Sequence, residues 1–259
     1  AFFRSASDSL RALPGVQDVG AVSVLPISGP GAKGEVTVEG SATPADKKPA
    51  AGFLRVLPGY FRAMGIPLVS GRDFHDLDGG EGDAVVIVTK ALAARLFPGR
   101  DPIGQRIKVG PPESEPWLRV VGVSGDLSQA GIDAPAEYQT FEPLAQRPRA
   151  VMRFALRTSG DPEALARPAL VALRALEPAA VLDQLATMDS RIQASLRPRR
   201  LQMTLILIFA VLSLVITALG VYGVTATTVE QRTREMGLRS ALGAGPNEIL
   251  RFALGHGFV

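Results

Sequence analysis

The densest group of side chains that could do chemistry lies in GRDFHDLDGGEGD, residues 71–83. The group combines one histidine with five carboxylates: Asp73, His75, Asp76, Asp78, Glu81 and Asp83. Closely spaced carboxylates suggest a calcium loop of the pattern D-x-[DN]-x-[DN]-G. Starting from Asp76, however, the fifth position is Gly80 and the sixth is Glu81, so the pattern fails. We interpret the stretch as a solvated acidic turn between two strands and predict no metal site.

Other sequence signs of catalysis are missing. The chain has two histidines, His75 and His256, and no cysteine, which excludes thiol nucleophiles, disulfides and cysteine zinc sites. No G-x-S-x-G nucleophile turn accompanies His75, and a single histidine gives little basis for a zinc site. The glycine-rich GPGAKGE, residues 29–35, lacks the spacing of the phosphate-binding loop G-x-x-x-x-G-K-[ST]. We therefore predict that the chain is not an enzyme and holds no cofactor.

The positive charge of the chain is concentrated near its C-terminal end. The formal net charge is +3, from 28 basic and 25 acidic residues. From Arg197 onward there are seven arginines and three acidic residues, so the preceding part has 28 − 7 = 21 basic and 25 − 3 = 22 acidic residues. That part is nearly neutral and has no motif that reads RNA or DNA. The composition therefore argues against a nucleic-acid partner.

An uncharged apolar run, residues 201–229, predicts a transmembrane helix. Its 29 residues exceed the roughly 20 that a hydrocarbon core about 30 Å thick requires. A buried helix of a soluble core is the alternative, but such helices are seldom this long without a charge. Basic residues do not orient the span, because four lie on each side: Arg191, Arg197, Arg199 and Arg200 before it, and Arg232, Arg234, Arg239 and Arg251 after it.

The body before the span, residues 1–195, alternates short strand-like and helix-like segments and predicts an α+β domain of two lobes. The second lobe would come from about residues 80–142. A long helix is predicted at 161–178, with Asp161 as its N-cap and a kink at Pro168. Both ends of the chain look cut, so we expect a fragment of a longer protein.

The segment after the span has an order that a simple membrane anchor does not need. If the helix continues past Val229, Arg232, Glu235 and Arg239 fall three and four positions apart on one face. Met236, Leu238, Ala241 and Leu242 add apolar contact area of modest size. Two glycines and a proline follow at 243–246 and would end this helix and start the next. The pattern predicts a short charged helix between two spans.

At this point the sequence resembles a known family. GVYGVTATTVEQRTREMGLRSALGA, residues 220–244, resembles the signature of FtsX-like ABC transporter permeases, the group that includes the MacB-like exporters. Three stretches of the body look like the MacB-type extracytoplasmic core domain: VLPGYFRAMGIPLVSGRDF (56–74), LFPGRDPIGQRI (96–107) and WLRVVGVSGD (117–126). The resemblance runs from about residue 20 to residue 254. EYQTFEPLAQ, 137–146, departs from the family's usual Tyr-x-Pro-type stretch.

The resemblance implies a permease subunit of an ATP-driven transporter, with residues 230–246 as a cytoplasmic coupling helix and 247–259 as the start of the next span. The ATP would be bound by a partner ABC ATPase, fused or separate. A second permease copy and membrane lipid are the other implied partners. The implied ATPase-docking residues are Arg232, Arg234, Glu235, Met236, Gly237, Arg239, Ala241, Leu242, Gly243 and Ala244.

The family likeness also implies an orientation in the bacterial inner membrane, with residues 1–195 extracytoplasmic and 230–246 inside. Three alternatives remain. The basic segment could be an ordinary positive-inside anchor, the chain could be a membrane-anchored sensor or scaffold, and the 71–83 cluster could serve an anchored enzyme. The sequence does not identify a transported substrate.

Overall fold

The computed structural model describes residues 2–241 except for eight short gaps, at 27, 29–31, 42–43, 45–46, 80–83, 111–115, 128–136 and 181–184. The chain divides into two compact units, residues 1–195 and 196–259. The first unit contains all the described strands. The second contains most of one long helix.

The described part of the first unit alternates strands and helices as an α+β domain. Its helices are α1 (Phe2–Arg11), α2 (Tyr60–Met64), α3 (Lys90–Leu96) and α4 (Ala166–Leu176). Its strands are β1 (Val16–Val22), β2 (Lys33–Val38), β3 (Ala50–Val56), β4 (Leu68–Gly71), β5 (Val85–Thr89), β6 (Arg106–Val109), β7 (Leu118–Ser124), β8 (Gln139–Pro143) and β9 (Arg153–Thr158).

The described strands form one mixed sheet in the order β2-β6-β7-β5-β8-β3-β1-β9, and β4 pairs with β7. β2 makes a second pairing, because Lys33–Glu35 lie beside β3 while Val36–Val38 lie beside β6. Six strands therefore close into a ring through β2, whereas β1 and β9 extend the sheet outward from β3. The β3–β8 and β5–β7 pairs are parallel, and the other pairs are antiparallel.

The two predicted lobes share this sheet. The predicted second lobe, about residues 80–142, supplies β5, β6, β7 and nearly all of β8. β8 pairs with β3, and β6 pairs with β2, so backbone hydrogen bonds cross from one predicted lobe to the other. Closing the ring requires strands from both parts of the sequence.

The sheet is covered by small helices that bury separate apolar clusters. α2 contributes Tyr60 and Phe61 to a cluster with Phe141, whose ring centroid lies 5.0 Å from that of Phe61. Leu92 of α3 and Phe97, the residue directly after it, belong to a second cluster over β5, β6 and β7. α1 and α4 pack against each other over β1 and β9. Aromatic edge-to-face contacts and aliphatic burial thus hold the domain together.

α2 lies so close to β1 that position 20 has no room for a side chain, which makes a testable prediction. A Cβ added there would lie 2.5 Å from the Tyr60 Cα, a backbone atom that cannot move aside. We expect Gly20→Ala to lower the free energy of unfolding of residues 1–195 by about 1–3 kcal/mol, the usual effect of overpacking. Urea titration measures it. Gly160→Ala is the matched control, because nothing lies within 4 Å of its added Cβ; equal midpoints for the two variants would contradict the prediction.

The predicted helix at 161–178 is shorter than expected. A 3-10 turn, Glu163–Leu165, comes first, and its N-cap is Pro162 instead of the predicted Asp161. Asp161 lies one residue earlier and accepts a 2.9 Å hydrogen bond from the Glu163 N–H. α4 then begins at Ala166, so Pro168 lies in its first turn. No kink is needed there, since first-turn N–H groups have no partner within the helix.

The long helix α5 spans Met188–Ala241, 54 residues. It does not break at residue 230, where the predicted coupling helix was to begin. No proline lies between residues 199 and 245, and the isolated Gly237 is tolerated within a helix, so the backbone hydrogen bonding can continue. The remainder of the predicted coupling segment and the predicted next span, residues 242–259, lie outside the described residues.

Candidate functional site

The central part of α5, residues 203–229, is apolar on every side. In the α5 segment Gln202–Gln231 every residue is exposed, and the most apolar 18 residues have a mean hydropathy of 2.7, so the segment is long and apolar enough to cross a membrane. Large side chains on successive positions are all exposed, among them Ile208, Phe209 and Ile216. An exposed apolar surface of this size marks contact with another apolar phase. The bounds agree closely with the predicted span, residues 201–229.

The polar side chains within this segment are arranged for an apolar surrounding. Four threonine hydroxyls donate hydrogen bonds of 2.7–3.0 Å to the carbonyl oxygens four residues earlier: those of Thr217, Thr225, Thr227 and Thr228. Each hydroxyl proton therefore has an acceptor without water. Satisfying polar groups within the helix is what the hydrocarbon core of a bilayer requires.

The predicted acidic turn, residues 71–83, is held by arginine. Asp78 accepts two hydrogen bonds from the Arg72 guanidinium, at 2.6 and 2.9 Å, and a third from the His75 backbone N–H at 2.8 Å. Asp73 accepts a 2.7 Å bond from the Phe74 N–H, while burial raises its pKa. These carboxylates stabilise the turn. Among the described residues, no group of three or more histidine or acidic side chains could hold a metal ion; Glu81 and Asp83 lie outside them.

The Arg72–Asp78 pair predicts a pH dependence. Arg72 holds the pKa of Asp78 below its usual value of about 3.9, so the pair stabilises the fold above that pH and the stabilisation disappears as pH falls through the lowered pKa. We expect Asp78→Asn to cost about 1–2 kcal/mol of unfolding free energy at pH 7 and less at pH 3. Urea titrations at both pH values measure this. The exposed Asp76 is the control, and Asp76→Asn should change little at either pH.

Sequence reasoning missed a buried ion pair in the middle of the sheet. Arg55 and Glu142 are register partners on the parallel strands β3 and β8, and both are almost fully buried. The Arg55 Nη1 lies 3.0 Å from the Glu142 Oε1, at an angle that falls short of a hydrogen bond. The Arg147 Nε lies 3.5 Å from Oε2. Burial lowers the pKa of Arg55 and raises that of Glu142. The sequence signal was partial, because Arg55 interrupts the apolar strand AAGFLRV whereas QTFEP, which carries Glu142, is not an apolar run.

Two family models match the chain and together cover most of it. The MacB-like periplasmic core domain matches residues 3–181, and the FtsX-like permease C-terminal domain matches residues 207–259. The chain belongs to the MacB-like family. Its α+β unit is therefore a MacB-like core domain, and the apolar part of α5 opens the FtsX-like domain.

Named relatives of this MacB-like chain are exporters. It is 30% identical over 199 residues to the pyoverdine export ATP-binding/permease protein PvdT of Pseudomonas entomophila, covering 71% of this chain and 29% of the relative. It is 27% identical over 228 residues to the macrolide export ATP-binding/permease protein MacB 2 of Aeromonas hydrophila, covering 85% of this chain and 34% of the relative. The chain thus spans about a third of the length of these relatives.

Two solved structures resemble this chain over about two thirds of its length. The periplasmic region of MacB from Actinobacillus actinomycetemcomitans matches with a TM-score of 0.47 and 16% identity, over 67% of this chain and 73% of that one. The extracellular domain of the transporter YknZ from Gram-positive bacteria matches with a TM-score of 0.45 and 17% identity, over 66% of this chain and 81% of that one.

The predicted docking residues lie in the FtsX-like part. α5 carries the backbone of seven of them, up to Ala241, and Arg234 and Gly237 are exposed. The side chains of five others and the whole of the last three lie outside the described residues: Arg232, Glu235, Met236, Arg239 and Ala241, then Leu242, Gly243 and Ala244. Docking on an ATPase therefore remains a prediction for all ten.

Proposed function

We propose that this chain is part of the permease of an ATP-driven ABC exporter. The observation that carries the proposal is the order of parts in one polypeptide: a MacB-like core domain, an apolar helix long enough to span a membrane, and the start of an FtsX-like domain. The named relatives combine ATP-binding and permease functions in export proteins. The family likeness supports export or related envelope work and identifies no substrate.

In this proposal, ATP hydrolysis and the transmission of movement belong to different chains or domains. ATP is bound and hydrolysed by an ABC ATPase, fused or separate, so this chain needs no cofactor and no catalytic residue. The ATPase docks on the segment 230–246 and moves it as ATP binds. α5, helical from Met188 to Ala241, passes that movement to the core domain. A second permease copy and membrane lipid complete the assembly.

The proposed location is the bacterial inner membrane, with residues 1–195 outside and 230–246 in the cytoplasm. The chain contains no cysteine, so single cysteines report orientation directly. Ser41→Cys and Ser240→Cys replace one small side chain by another. On intact cells, a membrane-impermeant thiol reagent should label position 41 and leave position 240 unlabelled until the cells are opened. Labelling of position 240 alone would reverse the orientation.

Photo-crosslinking from position 236 tests the proposed function. A photoreactive residue replaces Met236 in the full-length protein in native membranes, and mass spectrometry identifies the adduct. We expect an ABC ATPase as the main adduct. A matched probe at Leu205, an exposed position in the apolar segment, should give none. A signalling kinase at position 236 would favour a membrane-anchored sensor, and the absence of a specific adduct would favour a scaffold.

A further inference from the structure

An acid-free basic segment joins the last two strands of the core domain. Residues 143–160 contain no aspartate or glutamate and four arginines: Arg147, Arg149, Arg153 and Arg157. Between the end of β8 at Pro143 and the start of β9 at Arg153, the backbone forms turns and irregular structure. Arg149 and Arg153 are exposed. Arg149 in this loop and Arg153 at the start of β9 therefore place positive charge on the domain surface, and the Arg153 Nη1 also donates a 2.6 Å hydrogen bond to the Ser23 carbonyl.

Large apolar side chains are exposed beside these arginines. Val151 lies between Arg149 and Arg153 and is 66% exposed. Leu77, at the tip of the turn after β4, is 90% exposed, although the other leucines with given exposures in the core domain are at most 53% exposed. A leucine and a valine held in water cost free energy that a partner of suitable chemistry recovers on binding.

Direct contacts bring the three segments together. The Arg4 Nη2 on α1 donates a 2.9 Å hydrogen bond to the Asp76 carbonyl, next to Leu77. A Cβ on Gly79 would lie 2.7 Å from the Ala145 Cβ, so the turn touches the start of the basic segment. Phe3 packs against Phe154, with ring centroids 6.3 Å apart. We call this the basic–apolar surface and define it by Arg4, Leu77, Arg147, Arg149, Val151 and Arg153.

The described acidic residues of these segments are already partnered. Glu142 is buried beside Arg55 and Arg147, and Asp78 is bonded to Arg72. Asp8 lies 3.1 Å from Arg11, and Asp73 accepts a hydrogen bond from the Phe74 N–H. Asp76 is exposed and lies 3.7 Å from the Arg4 guanidinium, so those two charges offset each other. Of the arginines in the basic segment, Arg149 and Arg153 are exposed and add positive charge to this surface. Long cationic side chains around exposed apolar ones are typical of surfaces that lie at a membrane interface.

We propose that the basic–apolar surface binds the anionic headgroup layer of the membrane that α5 crosses. Guanidinium groups match the geometry of lipid phosphates, while Leu77 and Val151 enter the boundary between headgroups and acyl chains. The proposal requires α5 to be inserted in the membrane. The apolar segment of α5 starts at Gln202, soon after the helix itself begins at Met188, so only a short stretch of chain links the core domain to the bilayer. Such a short tether raises the effective concentration of lipid at the domain, so a weak contact suffices.

Spin labels on the whole 259-residue chain test this in nanodiscs. Leu77→Cys and Val151→Cys carry the label in the surface, and Val171→Cys on α4 is the control, since Val171 is 63% exposed. In discs containing phosphatidylglycerol, labels at 77 and 151 should gain contact with dissolved oxygen and lose contact with a water-soluble nickel complex. The label at 171 should stay in water in every disc. In discs of phosphatidylcholine alone, all three should stay in water.

A charge reversal separates recognition of the headgroups from simple apolar adhesion. Arg149→Glu should weaken the lipid contact of the label at 151 by about fivefold or more, the effect of one arginine near an anionic surface. Arg174→Glu, the same change at an exposed position of α4, should not. Equal effects of the two substitutions would show that only net charge matters and would overturn the proposed site.

Three further outcomes overturn the proposal. If the labels at 77 and 151 behave like the one at 171, the surface does not contact the membrane. If these labels enter the bilayer equally with and without phosphatidylglycerol, the surface does not recognise anionic headgroups. If they are protected from the nickel complex in native membranes but not in anionic nanodiscs, the surface binds a protein instead of lipid. A label on Ile216→Cys, which should contact lipid in both kinds of disc, shows separately whether α5 is inserted, so failure of insertion is distinguishable from failure of the surface contact.

Discussion

Arg55→Met should lower the free energy of unfolding of residues 1–195 by about 3 kcal/mol or more at pH 7. The substitution leaves the Glu142 carboxylate buried in the sheet without its nearest counter-ion, 3.0 Å away. Removing one partner of a buried pair typically costs about 3–5 kcal/mol, because the remaining charge is neither solvated nor paired. Arg147, at 3.5 Å, offsets part of this loss. Urea titration followed by circular dichroism measures the change.

The pair can be separated from the packing around it by a double substitution. Arg55→Met with Glu142→Leu removes both charges and keeps side chains of similar size, so it should recover most of the stability lost in Arg55→Met. Burial raises the pKa of Glu142, so the deficit of the single variant should also shrink as pH falls toward 4 and the carboxyl takes up a proton. A double variant as unstable as the single one would show that packing, not charge, dominates.

The family, the α+β body and the membrane helix could all be predicted from the sequence, for physical reasons that are local. The composition of a long charge-free run indicates that the run lies in an apolar environment. The bounds of Gln202–Gln231 lie within two residues of those of the predicted span at either end. Buried strands such as β5, Val85–Thr89, appear as short β-branched runs. The order of motifs along the chain indicated the MacB-like core domain, which the family match at residues 3–181 confirms.

The features that could not be predicted depend on contacts distant in sequence. β8 was missed because QTFEP contains a glutamate and a proline, and only its parallel pairing with β3 places Glu142 beside Arg55. β2 closes the six-stranded ring by pairing with both β3 and β6, and nothing in its own sequence, KGEVTV, indicates this double pairing. The coupling segment was expected to be a separate short helix, but local sequence does not stop a helix without a proline or a capping glycine.

Glu235→Lys should reduce crosslinking of the ATPase from position 236 by about tenfold or more in native membranes. Glu235 is the acidic member of the R-T-R-E-M-G-L-R segment and lies three positions after Arg232 and four before Arg239. On a helix these three positions share one face, and α5 is helical through them. Reversing the charge there creates three adjacent cations that repel one another and any basic group of the partner. A loss of about 1.4 kcal/mol in docking is a tenfold loss of complex.

The matched control is Glu230→Lys, about 1.4 turns earlier on the same helix. Glu230 is the first residue of the segment 230–246 but is not one of the ten implied docking residues. The substitution makes the same change in charge and adds a cation to the same end of the span, so any effect on membrane insertion or orientation is shared. We expect Glu230→Lys to keep the adduct. If both variants lose the adduct, the basic segment acts through overall charge as a positive-inside anchor. If neither does, Glu235 takes no part in docking, and the family signature at residues 220–244 would then describe the fold of this segment and not its contact with an ATPase.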